Sequence, residues 1–256
     1  MLSLPRLTVS DRAKAQPGLV RVRKLEGRYA RDLRKIAKQV GDLVRGVAPD
    51  GVLDSVQAEA LRLLLGKYAE AVEPWAKATA GRMVAEIAIK ERKAWAEHAR
   101  LMGRELRREI MEAPTGQVMR EALAEQVKLI KSLPTEAAER VHRLAIEGIQ
   151  NGTRSSEIAK EIMRSGEVTA GRANMIARTA VSTTSTLLTE ARSVHAGSEG
   201  YIWRTADDSD VRPSHARMEG KFVRWDDPPT LDGYKAHAGC SANCRCYPET
   251  VLPDYE

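Results

Sequence analysis

Aromatic side chains are scarce: Phe, Tyr and Trp make up 4% of the 256 residues, with a single Phe. Large β-sandwiches draw on aromatic and β-branched residues for their faces, so this composition favours packed helices with Leu, Ile, Val and Ala cores. The 43% hydrophobic content is enough for such a core. No apolar run approaches the roughly 20 residues needed to span a bilayer, so no membrane partner is expected. The N-terminal MLSLPRLTVSDRAK lacks an apolar signal core. Three cysteines are too few for the disulfide framework of a secreted domain, and a reducing cytoplasm is the expected setting. H-E-x-x-H, G-x-S-x-G and P-loop patterns are missing, as is any repeat of fixed period, and an enzyme is not expected.

Charge is plentiful but unevenly placed. Residues 1–49 hold 12 Lys/Arg against 4 Asp/Glu, whereas residues 200–256 hold 7 against 10. The basic N-terminal segment suits double-stranded DNA, bound through phosphates without sequence preference, or an acidic protein surface. A solvated, Arg-rich helix face is the plainer reading. Few aromatics are available for stacking on bases.

The pattern along the chain predicts a mainly α protein with an elongated helical N-terminal arm and a small α+β C-terminal lobe. Residues 1–18, with Pro5, Pro17 and Gly18 among polar residues, read as a flexible lead-in. Residues 19–112 read as the long arm. Its first helix places Leu25, Tyr29, Leu33, Ile36, Val40 and Leu43 at intervals of three and four and closes at Gly46, Pro49 and Gly51. Asp50 or Asp54 caps the next run. There the apolar stripe reads as Val56, Ala60, Leu63, Leu64, Tyr68, Ala71 and Trp75, continuing through Met83, Ile87, Ala94 and Leu101. Pro74 breaks this run unless it sits in a first turn. Residues 113–196 read as a helical bundle. One helix, 117–132, ends before Pro134. A second, 135–150, groups Val141, Leu144, Ala145 and Ile149 and closes at Asn151-Gly152. A third, 153–164, has Thr153 and Ser155-Ser156 as caps. A fourth, 169–194, carries Ile176, Ala180, Thr183, Leu187, Ala191 and Val194 on one face. Its run Ser182–Thr186 is unusual inside a helix; it suits close approach of neighbouring helices better than a phosphate contact.

Gly197, Ser198 and Gly200 mark a boundary. Residues 197–256 read as the α+β lobe, with little core of its own, extended at 201–205 and 221–225 and helical for one or two turns over 213–218. All three cysteines fall within Cys240–Cys246. Zinc takes four tetrahedral ligands from Cys and His. The candidate ligands are Cys240, Cys244, Cys246 and His215, with His237 as the alternative histidine. A metal would stabilise a lobe with a small core. The spacing C-x3-C-x-C is not that of a standard zinc finger, and the competing reading has Cys244 and Cys246 buried with His215 hydrogen-bonded. A Cys244–Cys246 disulfide is disfavoured, since neighbours at i and i+2 on a strand seldom meet its geometry. Asp207, Asp208, Asp210, Asp226 and Asp227 with His215 raise the alternative of a metal-dependent hydrolase. Turn chemistry is the commoner role for such aspartates, with Asp210 and Arg212 as an ion pair fixing the turn.

Several motifs occur in a telling order: IQNGTRSSEIAKEI, then RANMIARTAVSTTS with the pair Arg178-Thr179, then Trp203, Asp210, Arg212, His215 and Gly220, and last Asn243-Cys244-Arg245-Cys246. In this order they resemble the phage Mu F-like family of minor head, or head morphogenesis, proteins, from Leu133 to the C-terminus. Two positions depart from the family pattern: Ala180 stands where an acidic residue often follows the Arg-Thr pair, and Cys240 has no family counterpart. The resemblance implies a non-enzymatic role in building a tailed-phage head. It implies action at the portal vertex, contact with the portal protein and packaged DNA, and residence inside the virion head after assembly in the host cytoplasm. The major capsid or scaffold protein is a further candidate partner. The alternative function is a zinc-stabilised nucleic-acid-binding protein.

Overall fold

Asp54 shows how local chemistry sets the helix boundaries. Its carboxylate accepts the Gln57 backbone N–H at 2.7 Å while the Gln57 side chain accepts the Asp54 N–H at 3.1 Å, a reciprocal cap that starts the second helix. The computed structural model describes residues 17–99, 108, 112–151 and 155–252. In chain order the elements are α1 (Pro17–Val47), α2 (Ser55–Ala71), α3 (Glu73–Ala99), α4 (Thr115–Asn151), α5 (Ser155–Met163), α6 (Ser165–His195), β1 (Gly200–Arg204), α7 (Pro213–Ala216), β2 (Phe222–Arg224), β3 (Thr230–Leu231), β4 (Tyr234–Lys235) and β5 (Tyr247–Val251). The mainly α reading with a small C-terminal region of strands holds. The lead-in before Pro17, Leu101, Gly152 and Thr153 lie outside the described residues.

The first apolar stripe is buried from Leu25 to Val40, and Val44 rather than Leu43 completes it. The second stripe holds at Met83 and Ile87 of α3, but in α2 it lies on a different face from the one expected. Ala58, Leu61, Leu65, Ala69, Val72 and Ala76 are buried, while Val56 is 76% and Leu63 51% exposed. The run Leu61–Leu65 is apolar on both sides, so spacing alone could not choose between faces; small Ala58 and Ala69 mark the one that packs closely. Pro74 sits in the first turn of α3, where its missing N–H costs nothing. Pro134, by contrast, does not end a helix: α4 runs through it. Beside the proline, Ser132 Oγ donates to the Leu129 carbonyl at 3.0 Å and Thr135 Oγ1 to that of Lys131 at 3.1 Å.

Two units divide the chain. One comprises Gly27–Gly81 and Leu123–Ala177; the other comprises Met1–Glu26, Arg82–Ala122 and Arg178–Glu256. Within the first, Gly41 and Gly166 let two backbones meet: a Cβ on Gly166 would lie 3.1 Å from the Gly41 Cα. Lys131 bridges Glu70 at 3.0 Å and Glu73 at 2.8 Å, and Arg140 spans Glu161 and Ser165. The second unit holds a three-stranded antiparallel sheet, ordered β2-β1-β5, and the hairpin β3-β4. The hairpin turns on Asp232-Gly233, both at positive φ, as a tight two-residue loop requires. The expectation of little core in this lobe is corrected by a cluster of Tyr201, Trp203, Val223, Trp225, Ala238, Cys244 and Cys246. The few aromatics of the chain are concentrated here.

Candidate metal centre

Two short segments bring the chemistry together. His215 stands on the single turn α7, which Pro213 opens at its first position. Cys244 and Cys246 lie in the loop that leads into β5. The imidazole Nδ1 is 3.4 Å from the Cys244 Sγ and 3.6 Å from the Cys246 Sγ. All three side chains are buried, and their ligand atoms lie within 4.8 Å of one another. A tetrahedral ion about 2.3 Å from sulfur and 2.0–2.1 Å from nitrogen needs S···N edges of about 3.6 Å, so the arrangement fits a metal with little movement.

The surroundings favour a thiolate at Cys244. The backbone N–H of Cys246 donates to the Cys244 Sγ at 3.4 Å. The contact between the two thiols lowers the pKa of Cys244 and raises that of Cys246. The indole N–H of the fully buried Trp203 has no hydrogen-bond partner of good geometry, yet it lies beside Cys246 and favours its thiolate. The Trp203 ring meets the His215 ring edge-on, with centroids 5.6 Å apart. The far nitrogen of His215, Nε2, is 3.9 Å from the Asp232 carboxylate, which Ser214 holds at 2.8 Å. A carboxylate behind a ligating imidazole fixes ring orientation and tautomer in many metal sites.

The Ser/Thr run of α6 holds the cysteine loop. Thr179 Oγ1 accepts the Asn243 backbone N–H at 3.0 Å, Thr183 donates to the Gly239 carbonyl at 3.4 Å, and Thr186 donates to the Ala238 carbonyl at 2.8 Å. These residues recur at four and three, one stripe of the helix. Gly239 has φ +86°, and a Cβ there would fall 2.7 Å from Ser182 Oγ and 2.8 Å from the Cys246 carbonyl. Only glycine fits between the helix and the loop. On the next face of α6, Ser185 and Thr189 donate to Glu91 at 2.5 and 3.2 Å, and burial pushes this carboxyl up despite them.

Of the residues singled out in the sequence, His215, Cys244 and Cys246 converge and Cys240 stays outside the group. Cys240 is turned toward Thr183 and Thr186, and burial pushes its thiol up to about 12. His237 faces Tyr201, its Nδ1 3.2 Å from the phenol oxygen, and burial lowers its pKa. All three cysteines are free. Of the aspartates named from the sequence, Asp210 lines the same cavity as His215. Asp208 and Asp210 pair with Arg245 at 2.6 and 3.1 Å, Asp226 with Arg224, and Asp227 with Lys235. Arg212 is not the partner of Asp210; it donates to the Ala242 carbonyl at 2.7 Å. Ligand chemistry read from the sequence does not place Trp203 or Asp232 at the site. The Asp-Gly turn signal puts Asp232 at a hairpin tip, but not against an imidazole.

Several motif residues collect at one place: Arg178, Asp210, Arg212, His215 and Asn243–Cys246 line a single cavity, with Thr179 and Trp203 bonded or packed onto it. Residues 139–248 match the family described as Phage Mu protein F like protein. That match supports a phage Mu F-like protein, as the resemblance read from the sequence implied. That segment contains His215, Cys244 and Cys246 and the whole of the α6 stripe. An uncharacterized protein of Haemophilus influenzae is 32% identical over 133 residues, which are 52% of this chain and 29% of that protein. The match thus covers under a third of that relative's length. No solved structure matches the chain. The family suggests a protein of phage head morphogenesis, and such proteins are typically structural.

Proposed function

We propose that the protein is a minor head protein that acts at the portal vertex while a tailed-phage head is built, and that it stays inside the virion. The observation that carries this reading is the match over residues 139–248, several of whose motif residues line one cavity around the buried His215, Cys244 and Cys246. Its partners on this reading are the portal protein, then the major capsid or scaffold protein. Packaged double-stranded DNA is met without sequence preference through the exposed Arg28, Arg31, Arg34 and Lys35 of α1. The His215, Cys244 and Cys246 centre binds zinc, which ties α7 to the loop before β5 and stabilises the lobe. The ion acts as a staple on this reading, because the lobe's aspartates are committed to ion pairs and turns. The test is co-purification of the full chain with the portal protein encoded beside it, in cells where heads assemble. Retention on portal or procapsid supports the assembly role; failure to associate with either contradicts it.

A further inference from the structure

We propose that the ion held by His215, Cys244 and Cys246 keeps its fourth position for a small oxyanion, drawn from the arginine-lined cavity beside it. The inference rests on the metal reading above. Three protein ligands leave one tetrahedral position. Among the described residues no fourth His, Cys, Asp or Glu joins the group. Cys240 is engaged by Thr183 and Thr186, and Asp232 lies behind the other nitrogen of the imidazole. The three ligand residues instead line a cavity of about 150 Å³, with Arg178, Arg212 and Arg245 on its other walls beside the Asp210 carboxylate, Val211 and Asn243. This is well beyond the 10–15 Å³ that a single water needs, and it leaves room for an acetate- or phosphate-sized group.

Charge decides what the cavity favours. A zinc dication with two thiolates and a neutral imidazole carries no net charge. An incoming anion must therefore be met by the guanidinium groups. Arg245 is held by Asp208 and Asp210, and Arg178 by Glu26 at 3.1 Å. Arg212 is held by a carbonyl, that of Ala242, so its charge is matched there by a dipole only. Arg212 is thus the group placed to meet an oxyanion, for which a planar guanidinium is well suited. His215, Cys244 and Cys246 are 2%, 4% and 3% exposed. A DNA duplex cannot reach an ion so deeply set, whereas a free phosphate or a carboxylate group can. The shared chemistry is a small oxyanion, and the two sources are separable by experiment.

The test uses the full chain loaded with Co²⁺ in place of zinc. Thiolate-to-cobalt absorption reports the metal, and the d–d bands report its fourth ligand. Inorganic phosphate and sodium acetate are titrated separately. The expected result is a saturable change in the d–d bands with one of them, which names the source. Arg212→Gln should weaken that anion about tenfold, the scale of one charge-assisted hydrogen bond, with the thiolate–cobalt absorption intact. Arg212→Lys should restore part of the loss. Cobalt bound with d–d bands indifferent to both anions overturns the inference and leaves the metal reading standing. A response that Arg212→Gln does not weaken also overturns it, as adventitious coordination. Lack of any thiolate–cobalt absorption overturns the metal reading and the inference together.

Discussion

Thr186→Val tests whether α6 holds the cysteine loop. Thr186 Oγ1 donates to the Ala238 carbonyl at 2.8 Å, and both residues are buried, at 2% and 0% exposure. Valine keeps the branched shape but strands a buried acceptor, which costs about 1–3 kcal/mol. Thr183→Val is the internal control. Its bond to the Gly239 carbonyl is 3.4 Å long and only partly buried, so its loss should cost about 0.5 kcal/mol or less. Urea unfolding followed by tryptophan fluorescence reads the difference, because Trp203 and Trp225 both belong to the lobe's core. With a slope of about 1–3 kcal/mol/M, Thr186→Val should lower the midpoint by about 1 M. Equal losses at the two positions, or none at Thr186, would refute the idea that the Ser/Thr stripe anchors the loop.

Leu61→Ala should destabilise the chain by about 2–5 kcal/mol, whereas Leu63→Ala should stay within about 0.5 kcal/mol, since Leu61 is fully buried and Leu63 is half exposed; thermal unfolding of both ranks them. The raised carboxyl of Glu91 makes a second case. Below the ordinary value of 4.5 it is protonated folded and unfolded alike. As pH rises, the unfolded chain ionises first, so the folded state loses stability until pH passes the raised folded value. Stability measured against pH should therefore show Glu91→Gln gaining on the parent above 4.5 and levelling off, and parallel curves would contradict the burial argument. Charge reversal at Arg28, Arg31, Arg34 and Lys35 should weaken duplex DNA binding. It should also flatten the salt dependence by about 0.9 for each phosphate that is no longer neutralised, measured on the full chain. The full chain is needed because a cut after Glu112 divides both structural units.

Helix content and the two extended pieces of the lobe were legible from spacing: 201–205 and 221–225 differ from β1 and β2 by about a residue at each end. The buried face of α2 was not, because Leu61 to Leu65 supplies apolar residues in every direction and only packing chooses among them. Pro134 misled for a related reason: a break is the local preference, but the helix runs through it. At the centre, His215 with Cys244 and Cys246 was legible from ligand chemistry. The exclusion of Cys240 was not, since it depends on Gly239 turning the loop so that Cys240 meets α6. The Ser/Thr run announced itself as odd in composition, yet its role in gripping a loop some 55 residues downstream is a property of the folded chain.

The metal content of the full chain, purified without a metal-binding tag, is the most direct test of the centre. Elemental analysis should find about one zinc per chain, as one set of His215, Cys244 and Cys246 with one external ligand requires. Cys244→Ala with Cys246→Ala should lose the metal and lower the melting temperature. Metal-free protein that is fully folded, and whose melting temperature does not move when zinc is added, would contradict the account.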